Sequence, residues 1–396
     1  MSPKLSAPIL GEVRDQVRPA RGQGDRSIQS CPVSSYNEWG TLEEVIVGRV
    51  ENAVFAPDHI SVKAVIPVEI KDKLPKIQGQ RVPEELLQFA QEELDQFVNI
   101  LEGEGVTVKR PDIYDPAKEF QTPYWSSKGL CTACPRDGIL VIGDEIIETP
   151  MAWRSRFFEM YPYRRLFREY FDKGAKWTSA PKPQLLDTLY NEDFIGPDKD
   201  DGNGDAIDGF LSYVINESEI VFDAADFVRC GRDIFCQLSN VTNKAGIEWV
   251  RRHLGDAYRI HVIDTSLWRH PMHIDASMVL LAPGKILINS DDIAIKDLPS
   301  FLTEKWELII APRPDETGGT KYRKYNMCSS WLSANVLSLD EKRVIVENKQ
   351  VSLIRILEEN GFDVIPCPFE HYSPFGGGFH CATIDVRREG KLESYF

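Results

Sequence analysis

Apolar and polar positions follow one recurring order along the chain. A pair of apolar runs joined by a turn is followed by a stretch with helical spacing, then by a short run that ends in proline or an acid. The closing runs are GVTVKRPD (105–112), GAKWTSAP (174–181), YRIHVID (258–264), WELIIAP (306–312) and GFDVIPCP (361–368). The helical spacing is clearest from Pro83 to Leu101, where Leu87, Ala90, Leu94, Phe97, Val98 and Leu101 fall on one face and Pro83 suits the first turn. Gly255 and Gly361 stand where helix C-caps belong, after NKAGIEWVRRHL and VSLIRILEEN.

Hairpins precede these helices. GILVIGDEIIE turns at Gly143-Asp144, FVRCGRDIF at Gly231, MVLLAPGKILIN at Pro283-Gly284 and ANVLSLDEKRVIVE around Asp340. A fifth hairpin is divided between the two ends of the chain: EEVIVGRV near the start and CATIDVRREG near the end each lack a local partner. Pairing them would close a ring of five small mixed sheets about an axis, in one α/β domain. A doubly wound nucleotide fold is not supported, because no Gly-rich fingerprint follows the first strand and no P-loop occurs.

Composition narrows the partners. Of 396 residues, 42% are apolar, enough for a sizeable core, and the formal charge of −15 leaves no basic surplus for nucleic acid or anionic lipid. No run approaches the roughly 18 apolar residues of a membrane span and no secretory h-region is present, so a cytoplasmic protein is expected. Residues 1–30 are polar and read as a disordered tail, with 31–396 as the folded domain. The eight cysteines are scattered, which suits reduced thiols; CTAC, with Cys131 and Cys134, lacks a second pair at zinc-finger spacing. The acidic loop GPDKDDGNGDAIDG (196–209) reads as solvated, since glycines occupy the fifth and twelfth calcium-ligand positions.

Candidate chemistry gathers at the inner edges of the hairpins: Asp137 in CPRD, Asp223 and Asp226 in FDAAD, His273 and Asp275 in MHID, Cys328 and Ser329 in CSSW, and Cys381 in FHC. A cysteine attacks as thiolate and needs a base or a positive neighbour to reach that form at neutral pH. His273 is the candidate base; His380, if residues 379–385 form a strand, points away from Cys381. Gly376, Gly377 and Gly378 allow close backbone approach. A buried core thiol and a histidine bonded to a carbonyl are the bland alternatives. Two acids in the apolar strand FDAADFVRCGRD, and His273 with Asp275 two apart on one face, favour a site. Carboxylates beside a thiol raise its pKa, a conflict that a bound guanidinium resolves by pairing with the acids and favouring the thiolate.

CPVSSYNEWGTLEEVIVGR, PMAWRSRFFE, GAKWTSAPKP, FDAADFVRCGRDIF, PMHIDA and GGGFHCATIDVRREG together resemble the L-arginine:glycine amidinotransferase family, from about Cys31 to Phe396. The resemblance implies a five-module α/β propeller with pseudo-symmetry and a homodimer. It also implies Cys381 as nucleophile, His273 as general acid/base and Asp223 as the acid that orients it. Asp137 and Asp275 would grip the guanidinium, with Ser329, Met272 and Asp226 completing the substrate contacts. The implied reaction is ping-pong transfer of the amidino group of L-arginine to an acceptor amine, without metal or organic cofactor. Glycine is the favoured acceptor; another amine, as in saxitoxin-like pathways, deiminase-type hydrolysis and a non-catalytic binding propeller are the alternatives. Three departures bear on the ends of the substrates: NSDDIA puts Asp292 near the place of an arginine, CSSWL replaces an SSKW pattern, and His270 precedes Pro271.

Overall fold

A computed structural model describes residues 31–194, 213–263, 272–315 and 325–396. The expected N-terminal tail (1–30) and the acidic loop (196–209) lie outside the described residues. Five three-stranded sheets share one plan. An antiparallel pair is followed by a helix that returns the chain to add a third strand parallel to the second, as a right-handed crossover permits.

The pairs are Ile139–Ile142 with Glu145–Glu148, Phe227–Cys230 with Asp233–Gln237, Met278–Ala282 with Lys285–Ile288, and Leu337–Ser338 with Arg343–Glu347. Their third strands are Lys176–Ser179, Arg259–Ile263, Glu307–Ile310 and Asp363–Cys367. The remaining sheet joins the two ends of the chain: Leu42–Val47 runs antiparallel to Thr383–Arg388 and parallel to Thr107–Lys109. In that closure Val45 faces Asp385 and Val47 faces Thr383. The ring is thus sealed by contacts of very large sequence separation, and the sheet arrangement is the five-module propeller.

Burial falls outward across each sheet. First strands such as Phe227–Cys230 and Met278–Ala282 are buried throughout, whereas third strands such as Arg259–Ile263 are mostly open to solvent. The first strands therefore surround the axis, and the residues just ahead of them are forced to its mouth. Each of those approaches is a short turn: Pro135–Gly138, Ala224–Asp226, Ile274–Ala276, Ser330–Ala334 and the turn through His380 to Ala382. Neighbouring turns touch one another round the ring.

The helix over Glu84–Gly103 begins with Pro83 at the N-cap position, one residue outside the expected first turn. Its buried stripe is Leu86, Ala90, Glu93, Leu94, Phe97 and Leu101, with Leu87 and Val98 only partly covered. Glu93 sits in this apolar stripe because its carboxylate accepts the backbone N–H groups of His371 (2.8 Å) and Tyr372 (3.0 Å) and faces His371 Nδ1 at 2.7 Å. Burying a side chain such as Phe97 contributes about 1.5–3 kcal/mol. Among the described residues no helix is long and apolar enough to cross a membrane.

Three expectations about the acids and the thiol are corrected. Asp223 and Asp226 are not within a strand; Asp223 caps, and Asp226 ends, the single turn that leads into Phe227–Cys230. His273 and Asp275 likewise precede a strand, and they diverge rather than share a face. His380 and Cys381 lie in a turn closed by Ala382 N–H to Gly378 O (3.0 Å), and the strand begins only at Thr383. The reason is common to all three: a chain arriving at the axis must turn before it can enter the innermost strand.

Candidate active site

A cavity of about 300 Å³ opens at the mouth of the ring. Its polar wall contains Asp137, Arg156, His273, Asp292, Ser329 and Cys381, and its apolar wall includes Ile66, Leu130, Trp153, Met272, Trp331 and Phe375. Cys381 is nearly covered, at 2% exposure, yet its side chain borders this cavity. Its backbone N–H donates to Asn335 Oδ1 (3.0 Å), and Sγ lies 3.6 Å from Asp275 Oδ2. A Cβ on Gly377 would stand 2.6 Å from Cys381 Cβ, so only glycine lets the chain fold back over the thiol; Gly376 adopts φ +104. Burial, then the charges of Asp275 and Asp137, push the Cys381 thiol well above its ordinary value. The group rests as a thiol whose S–H points to Asp275.

His273 takes a backbone conformation that few non-glycine residues adopt, φ +63 and ψ 102. That conformation sets the imidazole between two carboxylates: Nε2 is 3.0 Å from Asp223 Oδ2 and Nδ1 is 3.4 Å from Asp137 Oδ1. Burial disfavours its charge, but Asp137, Asp223 and Asp226 outweigh burial and raise its pKa to about 10. Burial raises Asp223 to about 6 against the pull of His273 and Arg156, so at neutral pH the pair is imidazolium and carboxylate. His273 therefore stands ready as an acid. The expectation that it deprotonates Cys381 in the free protein is corrected, because both ring nitrogens face carboxylates and neither is bonded to sulfur.

Asp137 Oδ2 accepts from Arg156 Nη1 (2.6 Å), and Arg156 is held in turn by both oxygens of Glu159. The other oxygen of Asp137 is different. Oδ1 of Asp223 and of Asp275 are buried without a hydrogen-bond donor among the described residues, and Oδ1 of Asp137 has only the long 3.4 Å ion pair with His273 Nδ1. Such under-satisfied anionic acceptors beside the thiol and the imidazole cost free energy unless a multivalent cationic donor joins them.

No family model matches the chain. It is 45% identical over 368 residues to the L-arginine:L-lysine amidinotransferase of Pseudomonas savastanoi pv. phaseolicola, covering 93% of this chain and 98% of that protein. The chain belongs to the amidinotransferase family. It is also 46% identical over 371 residues to the mitochondrial glycine amidinotransferase of Gallus gallus, covering 93% of this chain and 86% of that one. Among solved structures, SxtG, an amidinotransferase of Microseira wollei in the saxitoxin biosynthetic pathway, superposes with a TM-score of 0.83 at 48% identity. That match covers 92% of this chain and 100% of the other. Members of the family are enzymes that move an amidino group.

The structure of this amidinotransferase divides the expected site residues. Cys381, His273, Asp137, Ser329 and Met272 border the cavity. Asp223 stands behind His273, and Asp275 behind Cys381, where its Oδ2 also faces His380 Nδ1 at 2.6 Å. Asp226 does not reach the wall: its oxygens accept from Gln237 Nε2 (2.7 Å), Ser239 Oγ (2.7 Å) and Thr242 Oγ1, and it is fully buried. Its place among substrate contacts is corrected: it is a buried acid closed by three donors that acts on His273 from behind the wall. Ser329 is exposed and caps the turn after it by accepting from Trp331 N–H (3.2 Å).

Asn335, Arg156 and Glu159 were not anticipated for the amidinotransferase site. The signal for the last two was a charged pair in PMAWRSRFFE, a stretch otherwise rich in aromatics. His380 was set aside, yet it bridges Asp275 to Glu38, whose Oε2 is 3.2 Å from Nε2. The segment with His270 and Pro271 lies outside the described residues.

Proposed function

We propose that this amidinotransferase takes the amidino group of L-arginine onto Cys381 and passes it to an acceptor amine in a ping-pong reaction. The observation that carries the reading is the set of three buried carboxylate oxygens, on Asp137, Asp223 and Asp275, that accept no hydrogen bond among the described residues. A guanidinium brings five N–H donors and a positive charge, which match planar bidentate acceptors and offset the cost of burying them. Its charge also lowers the pKa of the adjacent thiol.

The Cys381 S–H proton then passes to Asp275 Oδ2, and sulfur forms a bond to the guanidino carbon. The bond from that carbon to the side-chain nitrogen breaks as His273 gives its proton to the departing amine, releasing ornithine. The proton taken by Asp275 matches the one lost by His273, so the half-reaction is neutral overall. In the second half a neutral acceptor amine bonds to the same carbon, returns a proton to His273, and expels sulfur, which recovers its proton from Asp275. Asp223 keeps the imidazole oriented and charged.

Glycine leads as acceptor, and L-lysine, named for the Pseudomonas relative, comes next. The same reading takes residues 31–396 as the catalytic domain, working as a cytoplasmic homodimer, which light scattering of the full chain checks. Intact-mass measurement after incubation with L-arginine alone tests the covalent step. The expected result is one amidino group on the wild type and none on Cys381→Ser. With an amine added, ornithine and a new guanidino compound form in equal amounts; citrulline and ammonia in their place would favour hydrolysis and sink the transfer reading.

A further inference from the structure

The amidino-transfer reading explains one end of the cavity and leaves a buried acid at another part of its wall without a role. Asp292 borders the same cavity as Cys381 and is 6% exposed. One of its oxygens, Oδ2, accepts from Ser277 Oγ (2.9 Å) and Asn289 Nδ2 (2.7 Å), two neutral donors that fix the carboxylate in place. Oδ1 makes no hydrogen bond, and no cation pairs with Asp292 among the described residues. Burial raises its pKa to about 6, with Asp291 adding to the rise, so at neutral pH the cavity holds a charge that lacks a counterion among the described residues.

The rest of the described wall offers no free cation to a ligand carboxylate at this point. Arg156 is the guanidinium on the wall, and its donors are spent on Asp137 (2.6 Å), on Glu159 (2.6 and 2.8 Å) and on Cys134 O (3.0 Å). An anionic group near Asp292 would meet like charge in a poorly solvated site, whereas a primary ammonium would find an oriented acceptor.

We propose that Asp292 is a specificity-determining residue that binds an alkylammonium group at the end of a substrate remote from the reacting carbon. This rests on the amidino-transfer reading. The ammonium has two sources, the α-amine of the donor or a second amine on the acceptor, and matched pairs of compounds separate them. Agmatine and butylguanidine are donors of equal chain length that differ by the ammonium; 1,3-diaminopropane and propylamine are the equivalent acceptors.

The test measures kcat/KM for both pairs on the full-length wild type, Asp292→Asn and Asp292→Glu, with arginine-to-hydroxylamine transfer as a common reference. The wild type is expected to prefer the ammonium-bearing member of at least one pair by about ten- to a hundredfold, the range of a charged hydrogen bond. Asp292→Asn should collapse that preference towards one and Asp292→Glu should retain most of it. Preference in the donor pair assigns the donor's amine, and preference in the acceptor pair assigns the acceptor's. A wild type that favours neither charged member, while hydroxylamine is still amidinated, overturns the inference and leaves the transfer reading standing; this outcome does not depend on any variant folding. Loss of transfer to every amine, hydroxylamine included, overturns both.

Discussion

Two clusters of buried charge lie a few residues apart in this protein, and they are satisfied to opposite degrees. Below the site, Asp385 accepts from Arg136 (2.8 Å), Arg229 (2.7 Å) and Arg388 (2.8 Å), and Arg229 also reaches Glu38 (2.6 Å). Burial alone would raise both acids, but the arginines hold Asp385 and Glu38 well below the usual carboxylate range. None of their side-chain polar atoms is left unpaired. At the site, Asp137, Asp223 and Asp275 each keep one buried oxygen that accepts no hydrogen bond among the described residues. The closed cluster ties the first turn, a central strand and the last strand together at the point where the ring seals. The open cluster carries the same kind of charge in the same kind of burial, so what distinguishes a fold-holding network from a binding site is the supply of donors. His380 joins the two, with Asp275 on one nitrogen and Glu38 on the other.

Substitutions in the two clusters should therefore fail in different ways. The largest effect is expected at Cys381, where Cys381→Ala should lower kcat by roughly 10⁴-fold or more while the thermal midpoint stays near that of the wild type. Next comes Asp385→Ala. Removing the carboxylate shared by three buried arginines, with only Glu38 left to pair with them, should cost about 3–5 kcal/mol of stability, read by urea unfolding, whatever its effect on turnover. If Asp385→Ala were as stable as the wild type, the contrast between the clusters would be wrong.

Asp223→Asn should reverse that pattern. The general acid loses the carboxylate that orients and charges it, so kcat is expected to fall by about 10²-fold, while stability changes by no more than about 1 kcal/mol because burial already disfavours the Asp223 charge. The most gradual effect is in pH, spread over several units. His273 is raised from an ordinary value near 6.5 to about 10 in the folded state, chiefly by Asp137 and Asp223 against burial. Its stabilisation is fully present below about pH 6.5 and is lost as pH rises towards 10, because only the folded state still holds the proton in that window. Unfolding free energy should drop by up to about 1.4 kcal/mol per pH unit there. Asp223→Asn should narrow that window, and the closed cluster, built on arginine, should contribute no slope.

Much of the architecture was legible because it is specified locally. The turns at Gly143, Gly231 and Gly284 all take positive φ, as hairpins of their length require, and the caps at Gly255 and Gly361 do the same. The ring closure was legible for a related reason: two strand-like segments without neighbours can pair only with each other. Cys381, His273 and Asp137 could be chosen because a thiol, an imidazole and an acid each led into an innermost strand. Asp226 looked equivalent to Asp223 in FDAAD, but Gln237, Ser239 and Thr242, which saturate it, arrive from the following strand and loop. His380 was misread because a turn, not a strand, carries it.

By itself the sequence determined the repeating hairpin and helix units, the order in which they close, and the residue types delivered to the axis, since these depend on spacing and turn chemistry within a few neighbours. Only the tertiary structure decided which buried acids meet arginines and which are left waiting. Asp385 and Asp137 are both acids near the start of innermost strands, yet three guanidinium groups converge on one and a single one on the other. That difference is set by where side chains from distant modules end once the ring is shut, and ångström-scale convergence of that kind has no local signature.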